Sequence, residues 1–322
     1  MARPPPDPVF TLRGSAAPVN TLHFHCSGAG RPLLYSGSGK GCVHVWNLNS
    51  RRPETVLEGH DGASVIWVST LNSTDMLLSQ GRDMRVCVWD LHEGRSTVTH
   101  TLHTGSVGFC QCSLLEAGTT KPLLALPAEH TEEIKVVELD SQAPVCSLIP
   151  DSTRGMLMCM KMWQADSGPL LCAGYEDGSL VLWDVSNRRP LGCLKAHPDP
   201  VMCLDVDAGR QKGISGSSDK SLTSWTINDQ QSLQMQDSVP LTNPGVSQVC
   251  VRADGKITAA AGWDGSVRVF GWKRLKPLAV LQHHKDLVHS VAFSDHPEPS
   301  QRLMAAGSKD QRISLWSIYS ER

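Results

Sequence analysis

No stretch of this 322-residue chain approaches 18 apolar residues without a polar interruption, which leaves no candidate for a membrane-spanning helix. A dominant charge sign is also missing. Lysine and arginine number 30 against 32 aspartates and glutamates, a formal net charge of -2, so neither nucleic acid nor an anionic membrane surface is an expected partner. Behind the positive charge of Met1-Ala2-Arg3 comes Pro4-Pro5-Pro6 and no apolar core, so no signal peptide is expected. The cysteines are 11, an odd number, scattered mostly through strand-like segments (Cys42, Cys87, Cys172, Cys203, Cys250). That distribution reads as small buried hydrophobes in a reducing compartment and excludes a disulfide framework. A charged fraction of 19% is too low for wholesale disorder, and 40% hydrophobic residues suffice for a core.

What the chain does have is a repeat. A short β-rich run ending in an aromatic residue recurs at Val43-His44-Val45-Trp46, Val86-Cys87-Val88-Trp89, Leu180-Val181-Leu182-Trp183, Ser221-Leu222-Thr223-Ser224-Trp225, Val267-Arg268-Val269-Phe270 and Ile313-Ser314-Leu315-Trp316. Neighbouring aromatics lie 42 to 46 residues apart, except for a gap of 94 between Trp89 and Trp183. Half that gap is one more period, and Ile134-Lys135-Val136-Val137-Glu138-Leu139 fills the slot, which makes seven units. A period of this length predicts four short antiparallel strands per unit, which bury both faces only by stacking on their neighbours. The expected fold is therefore an all-β, seven-bladed β-propeller over residues 1–322, with a flexible Pro-rich start at 1–8 and a degenerate blade around 100–149. Five repeats carry an aspartate six residues before the aromatic (Asp83, Asp177, Asp219, Asp264, Asp310), each with a glycine two or three residues earlier (Gly81, Gly174, Gly216, Gly262, Gly307). Glycine allows a tight strand connection, and the carboxylate accepts hydrogen bonds from turn N–H groups. Lys40 takes the aspartate's place in the first repeat.

These marks, with Trp89-Asp90 and Trp183-Asp184 the most typical pairs, resemble the WD-repeat family. The resemblance implies buried hydrogen-bond sets of His60, Ser79, Asp83 and Trp89, of His197, Ser215, Asp219 and Trp225, and of His284, Asp310 and Trp316, with Ala306 where a serine would stand. Each set would satisfy a buried ring N–H, a hydroxyl and an imidazole. The first repeat has Gly14-Ser15 in place of Gly-His and lacks the set, as does the repeat near Ile134; the fourth keeps Asp177 and Trp183 without a convincing histidine. The last repeat ends soon after Trp316, and Val9-Phe10-Thr11-Leu12-Arg13-Gly14 resembles the segments that precede the other repeats, so an N-terminal strand is expected to complete the last blade and hide two sheet edges. Residues 115–131 read as a loop, with Gly118, Pro122, Pro127 and the charged run from Glu129 to Glu133. Met156, Met158, Met160 and Met162 alternate as in a strand with one apolar face, and 228–245 reads as a long outer strand and loop.

Chemistry finds little support. Ser79, His60 and Asp83 are the residue types of a nucleophilic triad, but the same trio recurs at Ser215, His197 and Asp219 in step with the repeat, whereas a nucleophile needs exposure and one oriented base. Cys110 and Cys112 lack a second ligand pair at finger-like spacing, His23 and His25 line one strand face, and Gly37-Ser38-Gly39-Lys40 lacks the spacing of a P-loop. No metal, no cofactor and no enzyme activity are expected. By resemblance to the family, partners contact the turns before the third strands, which here would display Arg82, Tyr175, Ser218, Trp263 and Lys309; Trp263 is the favoured contact, since aromatic and Arg residues dominate binding hot spots.

Over essentially the full chain the pattern is similar to the G-protein β-subunit-like group, the animal relatives of the small WD subunit of the ASTRA complex. The similarity rests on Phe10-Thr11-Leu12-Arg13-Gly14 after the prolines, Leu78-Ser79-Gln80-Gly81-Arg82-Asp83, Leu171-Cys172-Ala173-Gly174-Tyr175-Glu176-Asp177-Gly178, Leu241-Thr242-Asn243-Pro244-Gly245, Ala260-Ala261-Gly262-Trp263-Asp264 and the run from Ala305 to Trp316. It implies a cytoplasmic and nuclear, co-chaperone-like scaffold that works with the Tel2–Tti1–Tti2 machinery in maturing phosphatidylinositol-3-kinase-related kinases, and through them in DNA-damage signalling. A heterotrimeric β subunit would carry a long N-terminal helix for its γ subunit. Three prolines and no heptad stand before the first strand here, so no γ subunit is expected. The alternatives are a reader of modified peptides or histone tails, marked by an aromatic cage or Arg cluster at a channel mouth, and a purely structural subunit.

Overall fold

The computed structural model describes residues 6–26, 32–71, 74–92, 96–116 and 121–319. Most of the expected flexible start, and Gly118 of the expected loop, lie outside the described residues. The described residues form seven four-stranded antiparallel sheets, the blades of an all-β, seven-bladed propeller. Contacts divide the chain into two compact units, residues 1–101 with 247–322 and residues 102–246.

The first unit holds blades one, two, six and seven. Blade one is built from Val19–His25, Leu33–Ser38, Cys42–Asn47 and Arg52–Glu58, and blade two from Val65–Thr70, Met76–Gly81, Arg85–Asp90 and Thr97–His103. Blade six runs from Val246–Val251 through Ile257–Gly262 and Ser266–Gly271 to Lys276–Gln282. Blade seven takes Val288–Phe293, Met304–Ser308 and Arg312–Trp316 from the end of the chain and Phe10–Arg13 from its beginning, in the register Phe10 to Leu315 and Arg13 to Arg312. The sheet edge that Arg312–Trp316 would otherwise expose is thereby paired. Each core cluster straddles two blades: Leu12, Ile313 and Leu315 of blade seven pack with Val19, Leu34 and Trp46 of blade one, and Tyr35, Val43 and Leu57 pack with Val65, Leu77 and Trp89. The period-two alternation of each strand sends side chains to both faces of its blade, and in each of these clusters the facing side chains of two blades meet.

The second unit holds blades three, four and five. Blade three is Ser113–Leu115, Leu123–Pro127, Ile134–Glu138 and Pro144–Leu148. Its strand Leu123–Pro127 corrects the reading of 115–131 as a loop: the run Leu123-Leu124-Ala125-Leu126 pairs with Ile134–Glu138, and the prolines only bracket it. Blade four is Leu157–Ala165, Gly168–Tyr175, Ser179–Asp184 and Arg189–Lys195. A register shift between Leu157 and Cys159 breaks the methionine alternation, so Met160 and Met162 join the core while Met156 and Met158 stay half-buried. Blade five is Val201–Asp207, Lys212–Ser217, Ser221–Ile227 and the long, mostly exposed outer strand Leu233–Pro240.

The repeated aspartates close the hairpin before each third strand. Asp83, Asp177, Asp219, Asp264 and Asp310 each accept a hydrogen bond from the N–H two residues on, at 2.6 to 3.1 Å. In four of these five turns the next residue falls in the left-handed region. Glycine meets that demand without steric cost at Gly178 (φ +85°) and Gly265 (φ +79°), whereas Met84 (φ +62°) and Gln311 (φ +68°) adopt it against their side chains.

Candidate functional site

Two features repeat from blade to blade, a buried polar hub and an exposed turn residue. The hub sits at one cross-strand pair, two residues before the third-strand aromatic. In blade two, Ser79 faces Cys87. Ser79 Oγ accepts the Trp89 Nε1–H at 2.8 Å and lies 2.8 Å from His60 Nε2, while His60 Nδ1 lies 3.0 Å from Asp83. One tautomer satisfies all of this: Nδ1–H donates to the carboxylate, and the serine hydroxyl donates to Nε2. Arg85 Nε adds a 2.7 Å bond to Asp83. A Cβ on Gly81 would stand 2.4 Å from His60 Nδ1, so the glycine is required by the imidazole it covers. His60 and Ser79 are wholly buried and every atom of the trio is engaged in holding a tryptophan, an arrangement that offers no nucleophile to a substrate.

Blade seven keeps the chemistry and moves the serine. Ala306 faces Ser314 across the ladder, and Ser314 Oγ accepts from Trp316 Nε1 at 2.8 Å and meets His284 Nε2 at 2.8 Å, with His284 Nδ1 3.0 Å from Asp310. Ser314, missed in the sequence, is thus the hydroxyl that Ala306 lacks; its place opposite Ala306 was the available signal. Blade one keeps half a hub, Trp46 Nε1 donating to Ser36 Oγ at 2.8 Å, with His44 opposite Ser36 stacked on the indole. In blade six the pair is Ala260 and Arg268, and the guanidinium of Arg268 occupies the hub with bonds of 3.1 and 2.6 Å to Asp264. An ion pair between the buried arginine and the exposed aspartate there replaces the histidine–aspartate pair, a role the sequence reading did not assign.

Blade five corrects one member of its set. His197 Nε2 meets Ser215 Oγ at 2.9 Å, and its Nδ1 lies 3.0 Å from Ser221 Oγ and 3.3 Å from Asp219, but Trp225 Nε1 has no partner. The reason is the residue opposite the tryptophan. Leu77 faces Trp89, whereas Gly213 faces Trp225, and a Cβ on Gly213 would lie 2.2 Å from the indole ring. The ring fills that slot, and its N–H is drawn away from Ser215. In blade four, Ala173 faces Val181, and neither Trp183 Nε1 nor the Tyr175 hydroxyl reaches hydrogen-bond geometry.

Burial governs the imidazoles. It pushes His60, His197 and His284 below the usual histidine range, against the opposing pull of Asp83, Asp219 and Asp310. Burial likewise pushes the Cys110 and Cys112 thiols up. Among the described residues no group of three or more His, Cys, Asp or Glu is arranged to hold a metal ion, and His23 and His25 both turn to Thr70 Oγ1, at 2.8 and 3.0 Å.

The exposed turn residue stands immediately before each aspartate. In the first unit these are Arg82, exposed, Trp263, 39% exposed, and Lys309, exposed and 3.8 Å from Asp286. In the second unit Ser218 is half-buried, and Tyr175 is not displayed at all: it is wholly buried in the blade-four core, its hydroxyl proton held far above the usual tyrosine range by desolvation. Tyr175 ends its strand opposite Leu157, as Ser217 does opposite Val201 and Ser308 opposite Val288. The turn position of blade four therefore belongs to Glu176, which is exposed. The same three-residue spacing separates Gly216 from Asp219 and Gly307 from Asp310; counting one place on from Gly174 picks the residue that ends the strand, whereas the turn residue is the one immediately before Asp177.

The family model described as "WD domain, G-beta repeat" matches residues 6–47, 51–90, 188–226, 238–271 and 275–317, leaving blade three and most of blade four unmatched. The mouse protein "Guanine nucleotide-binding protein subunit beta-like protein 1" is 50% identical over 322 residues, covering 98% of this chain and 97% of its own. "ASTRA-associated protein 1" of Aspergillus flavus is 26% identical over 98% of both chains, and that of Schizosaccharomyces pombe is 26% identical over 98% of this chain and 99% of its own.

Proposed function

Because the chain belongs to the WD-repeat (WD domain, G-beta repeat) family, with a relative half identical to it along almost its whole length, we propose that it is a non-enzymatic protein-interaction scaffold of an ASTRA-type assembly. In this reading it supports the maturation of phosphatidylinositol-3-kinase-related kinases together with a Tel2–Tti1–Tti2 type co-chaperone complex, in cytoplasm and nucleus, and so serves DNA-damage signalling. The observation that carries the reading is end-to-end similarity to fungal proteins named for association with ASTRA. The geometry supports it: the hub histidines, serines and aspartates are committed to one another and, in blades two and seven, to a tryptophan, while the turn residues Arg82, Trp263 and Lys309 stay accessible.

The contact surface is assigned to the turns of the first unit that carry Arg82, Trp263 and Lys309, with Trp263 and Arg82 as anchors. The test is purification of the tagged chain from cell extract, comparing wild type with the double variant Trp263→Ala, Arg82→Ala by quantitative mass spectrometry. Large kinases of this class and their co-chaperones are expected with the wild type and lost from the folded variant. Recovery of histones or unrelated signalling proteins in their place would overturn the assignment, and equal recovery by both forms would overturn the choice of surface.

A further inference from the structure

We propose that the cleft between blades one and two is a docking site that receives one basic side chain, an arginine or lysine on an extended partner segment, between Tyr35, Glu54 and Asp75. The cleft lies inside the first unit and away from the turn residues of the proposed contact surface, and it stands whether or not the chain serves the large kinases. It is a cavity of about 250 Å3, walled by apolar side chains that include Leu33 and Met76. A neighbouring cavity shares Thr74, Asp75 and Met76 with it and continues past Asp90 and Thr99 along blade two, which gives an extended segment somewhere to lie.

The chemistry of the cleft is that of a cation site. Tyr35 is only 4% exposed, yet among the described residues its hydroxyl has no hydrogen-bond partner, although it lines the cavity. The hydroxyl is thus open to the cavity while the rest of the side chain is packed away. Burial, with Asp75 and Glu54 nearby, pushes its ionisation up to about 12, so at neutral pH it presents an uncharged oxygen. Glu54 uses Oε1 to accept from Asn47, and Asp75 uses Oδ2 to face His92 at 3.1 Å; the second oxygen of each carboxylate accepts no hydrogen bond among the described residues. Of the described residues lining the cavity none is lysine or arginine, and its two carboxylates stand exposed at the rim, Asp75 facing His92 and Glu54 facing Asn47. Apolar walls around convergent acceptors fit a side chain with an aliphatic stem and a cationic head. They repel an anion, and they leave a purely apolar side chain with three unpaired acceptors.

Three tyrosines in the chain make the test direct. The full chain is labelled with 3-fluorotyrosine, the Tyr35 resonance is assigned by its loss in Tyr35→Phe, and the fluorine spectrum is followed during titration with N-acetyl-arginine amide, N-acetyl-lysine amide or the isosteric, uncharged N-acetyl-citrulline amide. The charged probes are expected to shift the Tyr35 resonance saturably and leave Tyr175 and Tyr319 in place, with citrulline inactive. The double variant Glu54→Gln, Asp75→Asn is expected to weaken the response about tenfold or more, the loss expected for charge-assisted hydrogen bonds, while unmoved Tyr175 and Tyr319 resonances report that it is folded. The proposal is overturned if no probe gives a saturable shift, if citrulline matches arginine, or if the double variant responds as the wild type does.

Discussion

Replacing Ser314 by alanine removes one oxygen atom from blade seven and tests the hub directly. Ser314 is wholly buried and bridges the Trp316 indole N–H and His284 Nε2, each at 2.8 Å. Truncation leaves a buried donor on the indole and a buried ring nitrogen on the histidine, with Ala306 opposite and no other hydroxyl at that pair. A buried polar group stripped of its partner costs about 1–3 kcal/mol, so the two together predict a loss of roughly 2–4 kcal/mol once partial relaxation is allowed for. The loss would be read from urea denaturation followed by tryptophan fluorescence, with an unchanged m-value to show that the same surface is exposed on unfolding. Blade two supplies the control, because its hub serine lies on the second strand, facing Cys87 on the third. The double variant Ala306→Ser, Ser314→Ala rebuilds that arrangement and is expected to return to within about 1 kcal/mol of wild type, since distance and burial rather than strand identity decide the bond. A cost below about 0.5 kcal/mol for the single variant, the range of an ordinary surface change, or a double variant no better than the single, would refute this account of the hub.

In blade six, Arg268→Leu takes the guanidinium from the carboxylate of the exposed Asp264 and is expected to cost about 1–3 kcal/mol, whereas Arg268→Leu with Asp264→Asn, which keeps the acceptor for the Ser266 N–H, should recover part of it; equal losses in a denaturation series would show that the ion pair is not the cause. Deleting residues 1–14 removes the strand Phe10–Arg13 and the buried Leu12, so the thermal midpoint is expected to fall by several degrees, and an unchanged midpoint would sink the idea that this strand secures blade seven. Stability should also fall on mild acidification. His60, His197 and His284 are depressed by burial in the folded chain, so the unfolded chain takes up protons first, from about pH 6.5 downward. Stability is then full above that value and lost towards pH 5, with a further loss near pH 4 as Asp310, held low by the Lys285 N–H and His284 despite its burial, becomes protonated. A denaturation midpoint that stays level between pH 7.5 and 5.5 would contradict the assigned protonation state of the hubs.

Period carried the architecture. Aromatics 42 to 46 residues apart placed the third strands, and the halved gap between Trp89 and Trp183 placed blade three on Ile134–Glu138, because strand spacing is a property of chain length and survives the loss of every polar mark. What stayed hidden depended on side-chain geometry across the ladder. A serine opposite an alanine and an alanine opposite a serine look different along the chain, yet Ser79 and Ser314 place the same oxygen beside the same indole. Arg268 reads as an ordinary strand residue until its register with Ala260 puts the guanidinium on Asp264.

Tyr175 and Trp225 show the limit of motif spacing from opposite sides. Tyr175 follows the motif glycine but ends its strand, as Ser217 and Ser308 do, so the exposed turn falls on Glu176 and the tyrosine stays in the core. Trp225 kept its place in the motif and lost its bond, because Gly213 opened a slot that its ring fills. Apolar contact won there over a polar one: a net indole hydrogen bond is worth about 1 kcal/mol, and packing a large ring into a void that would otherwise stay empty is worth at least as much. A turn or hub assignment in a repeat of this kind therefore has to be made from the residue opposite on the neighbouring strand, not from the count of residues along the chain.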